Sequence, residues 1–133
     1  MIVLDASAAI EWLLQTPKAP AIEARLFLTP TQSSRWHAPQ LLDVEVAQVF
    51  RKHVARGVMS DARGHEALQD LLDLPLVRYP HDFLLPRVWE LRRNLTAYDA
   101  VYVALAEALG VPLVTCDANL AGAPGHSAHV DVI

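Results

Sequence analysis

The chain is poor in cysteine, in long apolar runs and in excess positive charge. Cys116 is its only cysteine, which excludes an internal disulfide and a cysteine-rich zinc site. No apolar stretch approaches the roughly 20 residues that a membrane-spanning helix needs. The N-terminus also lacks the basic segment that precedes the apolar core of a signal peptide. These absences predict a cytoplasmic protein.

Charge excludes a general polyanion-binding protein, because the formal net charge is −4. All 11 basic residues except Lys18 and Lys52 are arginine, and arginine binds phosphate through two parallel hydrogen bonds. The net charge therefore does not exclude a local groove lined with arginine. With 133 residues and 53% hydrophobic residues, we expect one globular domain spanning residues 1–133.

The hydrophobic pattern predicts short apolar strands that alternate with helices. The predicted strands cover residues 1–4, 36–38, 76–79, 111–115 and 129–133. The predicted helices cover residues 6–15, 20–28, 40–56, 61–72, 80–93 and 97–109, and residues 29–34 form a predicted loop. This alternation predicts an α/β fold with a mostly parallel central sheet of about five strands, flanked by helices.

Two aspartates directly follow predicted strands. Asp5 ends the first and Asp117 comes just after the fourth. Because ligands bind outside the carboxyl ends of parallel strands, both carboxylates are expected at one edge of the sheet. Ser7, Thr115 and Asn119 would place further polar groups beside them. The alternative is that each aspartate only caps the helix or turn that follows it.

Two further carboxylates lie on predicted helices. Glu45 falls within the apolar face of helix 40–56, where a carboxylate is costly unless it is paired or binds a metal. A position at the edge of that face, or pairing with an arginine, is the alternative. Asp99 lies in the first turn of a helix capped by Thr96, where an acidic residue also suits the helix dipole. A purely structural role for Asp99 is therefore well supported.

The four carboxylates together predict a cation site. Several carboxylates at one place require a counter-charge. An all-oxygen set without histidine or cysteine favours Mg²⁺ or Mn²⁺. Such a site can activate water and hold a phosphodiester for displacement. The six histidines are dispersed and do not predict zinc.

Four segments occur in a characteristic order: residues 1–8, 41–46, 95–100 and 113–117. In this order and at this spacing, the chain resembles the PIN-domain ribonucleases. In length it is similar to the VapC toxins of type II toxin–antitoxin pairs. The resemblance covers nearly the whole chain.

The resemblance implies a metal-dependent endoribonuclease that cleaves RNA, often tRNA or ribosomal RNA. It assigns binding of Mg²⁺ or Mn²⁺ and catalysis to Asp5, Glu45, Asp99 and Asp117. Ser7 and Thr115 match its supporting hydroxyl positions. Asn119 lies near a position where many relatives carry an additional acid, so the resemblance supports a second metal less than the first.

The resemblance also implies a cognate VapB-type antitoxin and a homodimer. Arg92 and Arg93 are our candidates for contacts to RNA phosphates, although arginines at a helix end are often simply solvated. If the chain dimerises, the apolar surface of the early helices is a candidate interface. That surface comprises Trp12, Leu13, Leu26 and Phe27.

Two other functions compete with this one. Receiver domains and aspartyl-phosphate phosphatases also place aspartate at strand ends, but they use a lysine late in the chain. No lysine follows Lys52, and the Asp5-Ala6-Ser7 segment lacks the second aspartate of the phosphatase motif. The other alternative is a catalytically silent PIN-like module that binds RNA or protein. Retention of all four acidic residues argues against it.

Overall fold

The described part of the chain contains a five-stranded sheet. The computed structural model describes residues 1–27 and 36–133. The predicted loop 29–34, and residue 28 at the end of the second predicted helix, lie outside the described residues. The strands are β1 (Ile2–Leu4), β2 (Trp36–Pro39), β3 (Leu76–Tyr79), β4 (Leu113–Thr115) and β5 (Val130–Val132).

All strand pairings are parallel, and the strand order is β3-β2-β1-β4-β5. The predicted α/β class is confirmed, and the sheet is parallel throughout. From β1 the chain moves to β2 and β3 on one side, and it later returns to β4 and β5 on the other. The direction of winding therefore changes between β1 and β4, which is where open parallel sheets form a ligand-binding crevice.

Helices connect the strands. They are α1 (Ala6–Leu13), α2 (Ala19–Leu26), α3 (Leu41–Ala55), α4 (Asp61–Asp73), α5 (Leu85–Glu90), α6 (Ala97–Leu109) and α7 (Ala118–Gly122). A short 3₁₀ helix, Asp82–Leu84, precedes α5. None of the helices in the described ranges combines the length and apolar character needed to cross a membrane.

The predicted helix ends are confirmed where a specific residue marks them. Ser60 Oγ accepts a hydrogen bond from the Arg63 backbone N–H, and Thr96 Oγ1 accepts one from the Asp99 backbone N–H. Gly110 ends α6 in the left-handed conformation, with φ of 64°, which glycine adopts at little cost.

One helix prediction was wrong in detail, and one short helix was missed. The predicted helix 80–93 is a 3₁₀ helix followed by the short α5. Pro86 stands at the start of α5, where its missing N–H is tolerated. The short α7 was not predicted, because five residues are too few to display a helical period.

The core surrounds α6, which is buried continuously from Ala100 to Ala106 and packs against β1, β2 and β4. The candidate dimer surface on the early helices was wrong for two of its residues. Leu13 and Leu26 are only 7% and 3% exposed and belong to the core, because α1 and α2 pack against each other. Neither leucine is available to a second chain.

Candidate active site

Asp5 and Asp117 lie at the crevice where the direction of winding changes. Asp5 follows β1 directly, and its backbone N–H donates to the carbonyl of Val114 in β4 over 3.0 Å. Asp117 is two residues beyond the end of β4. The two aspartates therefore leave adjacent parallel strands at the same edge, as predicted from the sequence.

The Asp5 carboxylate is held by hydroxyl groups. Its Oδ2 accepts hydrogen bonds from Ser7 Oγ at 2.6 Å and from Thr115 Oγ1 at 2.7 Å. The residue is only 7% exposed, and its side chain makes no capping hydrogen bond to α1. The capping alternative is therefore wrong for Asp5, whose carboxylate is oriented by the two hydroxyls instead.

The same two hydroxyls fix the start of the segment after β4. Their oxygens lie 3.2 Å apart. Ser7 Oγ accepts from the Cys116 backbone N–H at 2.9 Å, and Thr115 Oγ1 accepts from the Asp117 backbone N–H at 3.0 Å. One small hydroxyl cluster thus positions both Asp5 and the backbone that carries Asp117.

Asp117 also caps α7. Its Oδ1 accepts from the Asn119 backbone N–H at 2.9 Å, so the capping alternative is confirmed for this aspartate. The bond uses one carboxylate oxygen and leaves Oδ2. Asn119 is exposed, and it takes part in this bond through its backbone N–H.

Glu45 lies on the side of α3 that faces the other carboxylates, and it is half-buried. Burial raises the pKa of its carboxyl, a hydrogen bond from Tyr102 opposes that rise, and the charges of Asp5 and Asp99 add to it. Tyr102 donates its hydroxyl to Glu45 Oε1 over 2.8 Å. The arginine next to this part of α3, Arg78, pairs with Asp43 instead, over 2.7 Å.

Asp99 occupies the first turn of α6. Burial raises the pKa of its carboxyl, a hydrogen bond with Thr96 opposes that rise, and the charges of Asp5 and Asp117 increase it. Asp99 is thus both part of the cap and a member of a group of interacting negative charges. The structure confirms the capped first turn, and the role of Asp99 in a cation site stays a prediction.

The four predicted carboxylates therefore share one electrostatic environment. Asp5 acts on Glu45 and Asp99, and Asp117 acts on Asp99. In residues 1–27 and 36–133, no three acidic, histidine or cysteine side chains converge tightly enough to form a ready-made metal shell. The donors fit a hard cation in kind, since all are carboxylate or hydroxyl oxygens.

No basic side chain from the described ranges forms an ion pair with any of these four carboxylates. The ion pairs found there use other acids: Asp43, Glu66, Asp70, Glu90, Glu107 and Asp131. Hydroxyls orient a carboxylate without neutralising it. The crevice therefore retains negative charge that a cation could balance.

Arg92 and Arg93 lie in the exposed turn between α5 and α6. Arg92 donates to the Trp89 carbonyl over 2.8 Å, and its guanidinium carbon lies 4.8 Å from the centroid of the Trp89 ring. Trp89 itself is 68% exposed. Both arginines remain candidates for phosphate contacts.

Tyr102 belongs to the site but was not identified from sequence. It sits in the continuously buried apolar run of α6. Its only distinguishing signal is a hydroxyl three residues after Asp99, which places it on the same helix face. Burial and the charges of Glu45 and Asp5 raise the pKa of Tyr102, so that it remains a hydrogen-bond donor.

Comparisons with known proteins show the family to which the chain belongs. Residues 2–125 match the PIN domain family. The chain is 44% identical over 133 residues to a protein named Ribonuclease VapC12 from Mycobacterium tuberculosis, covering all of this chain and 99% of that protein. The chain thus belongs to the PIN domain family and, within it, to the VapC group.

Solved structures have the same fold. PAE2754 from Pyrobaculum aerophilum superposes with a TM-score of 0.69 at 25% identity, over 98% of this chain and 83% of that one. VapBC2 from Rickettsia felis, solved with a DNA fragment from its promoter, gives a TM-score of 0.70 at 13% identity. That match covers 99% of this chain and 98% of the other and concerns the fold.

Proposed function

We propose that the protein is a Mg²⁺- or Mn²⁺-dependent endoribonuclease and the toxin of a type II toxin–antitoxin pair. The observation that carries the proposal is the group of four carboxylates at the crevice between β1 and β4. These carboxylates interact with one another, and no basic side chain in the described part of the chain pairs with them. The ribonuclease name of the VapC12 relative agrees with this reading.

In this proposal, Asp5, Glu45, Asp99 and Asp117 hold the cation. When bound, a divalent cation lowers the pKa of water and neutralises charge on a phosphodiester. Ser7 and Thr115 keep the Asp5 carboxylate oriented through their hydrogen bonds to Oδ2.

The second part of the proposal concerns how RNA binds to the site. An acidic protein does not gain RNA affinity from overall charge, so cation and groove shape must supply most of it. Arg92 and Arg93 are proposed to contact RNA phosphates from the exposed turn before α6. The predicted partners are RNA, of the tRNA or ribosomal type, a VapB-type antitoxin and a second copy of the chain.

The test is cleavage of total cellular RNA by the purified protein, with Mg²⁺ or Mn²⁺ and with EDTA. Asp99→Asn serves as the active-site variant, because the amide keeps the size and polarity of the side chain while removing its charge. We expect discrete metal-dependent fragments that EDTA and the variant both abolish. End mapping of these fragments then identifies the target.

The matched control is Asp43→Asn, the same change on an acid that pairs with Arg78 outside the site. This variant should cleave like the wild type. Fragments that persist in Asp99→Asn would refute the assignment of the site. RNA binding that depends neither on metal nor on Asp99 would favour the silent binding module.

A further inference from the structure

A buried tyrosine links two elements of the proposed cation site. Tyr102 lies on α6, three residues after Asp99, so the two side chains share a helix face. The residue is 1% exposed, yet its hydroxyl reaches across to α3 and donates to Glu45 Oε1 over 2.8 Å.

Packing alone does not require this hydroxyl. The residues from Ala100 to Ala106 are all buried, and Tyr102 supplies the hydroxyl within an otherwise aliphatic run. Phenylalanine would fill the same space without placing a polar atom in the interior. A buried phenol is tolerated when its O–H finds a partner, and the partner here is the carboxylate of Glu45.

The bond counters the forces that would move Glu45 out of the site. Glutamate is long and flexible, and fixing such a side chain has a substantial entropic cost. Glu45 is also half-buried and next to the negative charges of Asp5 and Asp99, which repel it towards water. A neutral donor holds it in place without cancelling the charge that a cation needs.

We propose that Tyr102 is a positioning residue, which holds the Glu45 carboxylate in the geometry that binds the divalent cation. The inference rests on the proposed function and extends it to a residue outside the carboxylate set. Groups that orient metal ligands typically change metal affinity or activity by about 10–100-fold when removed.

The test is Tyr102→Phe, which deletes the hydroxyl and keeps the ring. Mn²⁺ affinity measured by calorimetry on the whole protein should fall by about 10-fold or more. Cleavage at saturating RNA should fall with it and recover in part as Mn²⁺ is raised. The matched control is Tyr79→Phe, which removes a hydroxyl that bonds His37 Nδ1 at 2.9 Å and should leave Mn²⁺ affinity unchanged.

A double-variant cycle separates positioning from general damage to the fold. If Tyr102 acts through Glu45, Tyr102→Phe should change Mn²⁺ affinity less than about twofold once Glu45→Ala is present. An equal loss in both backgrounds would assign Tyr102 a merely structural role and overturn the inference. Wild-type Mn²⁺ affinity in Tyr102→Phe would overturn it too, while the proposed nuclease would stand.

A measurement on the wild-type protein keeps the inference testable if the variant does not fold. A hydroxyl proton held by Glu45 should exchange slowly and give an NMR contact to the Glu45 side chain, both with and without Mg²⁺. Loss of that contact on adding Mg²⁺ would refute positioning. If the wild type neither binds Mn²⁺ nor cleaves RNA, the proposed function itself fails.

Discussion

The Thr115 hydroxyl should contribute more to the free energy of unfolding than the hydroxyl of any other threonine in the described structure. Thr115 is fully buried. Its Oγ1 donates to Asp5 Oδ2 at 2.7 Å and accepts from the Asp117 backbone N–H at 3.0 Å. Thr115→Val keeps the shape of the side chain and removes both bonds, so the change tests the hydroxyl alone.

The expected cost follows from these two bonds. A hydrogen bond to a charged group contributes about 1.5–3 kcal/mol, and the bond to the N–H of the half-buried Asp117 contributes about 0.5–1.5 kcal/mol. The added methyl group recovers about 0.8 kcal/mol through burial. The net loss should be about 2.5 kcal/mol, or roughly 10 °C in Tm for a chain of this size.

Urea denaturation at pH 7 in EDTA measures this loss without a contribution from metal. The control is Thr16→Val, because the Thr16 hydroxyl also bonds a carboxylate, that of Glu11, but at a half-exposed position where water can replace it. The control should lose less than about 1 kcal/mol. A Thr115→Val loss as small as that of the control would refute the reasoning, since both bonds would then be dispensable.

Two further predictions concern charge. Because the pKa of Glu45 is raised in the fold, its ionised form destabilises the metal-free protein above that pKa, and this penalty disappears as pH falls to the ordinary value of 4.5. Glu45→Gln should therefore raise Tm at pH 7 in EDTA but not near pH 4, and Mg²⁺ should raise Tm more in the wild type than in the variant. A lower Tm of the variant in EDTA at pH 7 would contradict this. Conversely, hydrogen bonds from Arg87 lower the pKa of Glu107 to about 2, so Glu107→Gln should cost about 2 kcal/mol at pH 7 after allowing for the partial exposure of Arg87. That cost should shrink as pH falls from 4.5 towards 2, and a pH-independent difference would show that the charge of Glu107 is not responsible.

The fold was predictable because its signals are local and repeated. Apolar strands and amphipathic helices alternate along the chain, and Ser60, Thr96 and Gly110 mark helix boundaries by well-defined backbone bonding. The missed elements lack such signals. The short α7 spans only five residues, and Pro86 stands at the N-terminus of α5, not inside a longer helix.

The site was predictable in its members but not in their bonding. Asp5 and Asp117 each follow a strand and precede a helix, so the sequence offers the same two roles for both. The structure separates them: Asp117 caps its helix, whereas Asp5 does not and instead accepts the hydroxyls of Ser7 and Thr115. The outcome depends in part on the hydroxyl that Thr115 brings from the neighbouring strand β4, and only the tertiary fold determines that contact.

In the early helices, the sequence did not show which apolar residues belong to the core. Leu13 and Leu26 are apolar residues on predicted surface helices, and their pattern fits a dimer interface as well as it fits the core. Their burial results from the packing of α1 against α2, a contact that no periodicity within either helix specifies. Sequence patterns define an apolar face, and the arrangement of elements decides what covers it.

Asp43 and Glu45 show most clearly how neighbouring acids on one helix acquire opposite roles. Asp43 meets the guanidinium of Arg78, which also donates to the carbonyls of Leu71 and Leu76. Its charge is neutralised and helps to tie α3 to the neighbouring segments. Glu45, two residues later, accepts a hydrogen bond from the neutral hydroxyl of Tyr102 and forms no ion pair with a basic side chain of the described residues. Asp43 therefore stabilises the fold through an ion pair with Arg78. Glu45 is oriented but not neutralised, which lowers the stability of the metal-free protein, and under the proposed function a bound cation would remove that cost.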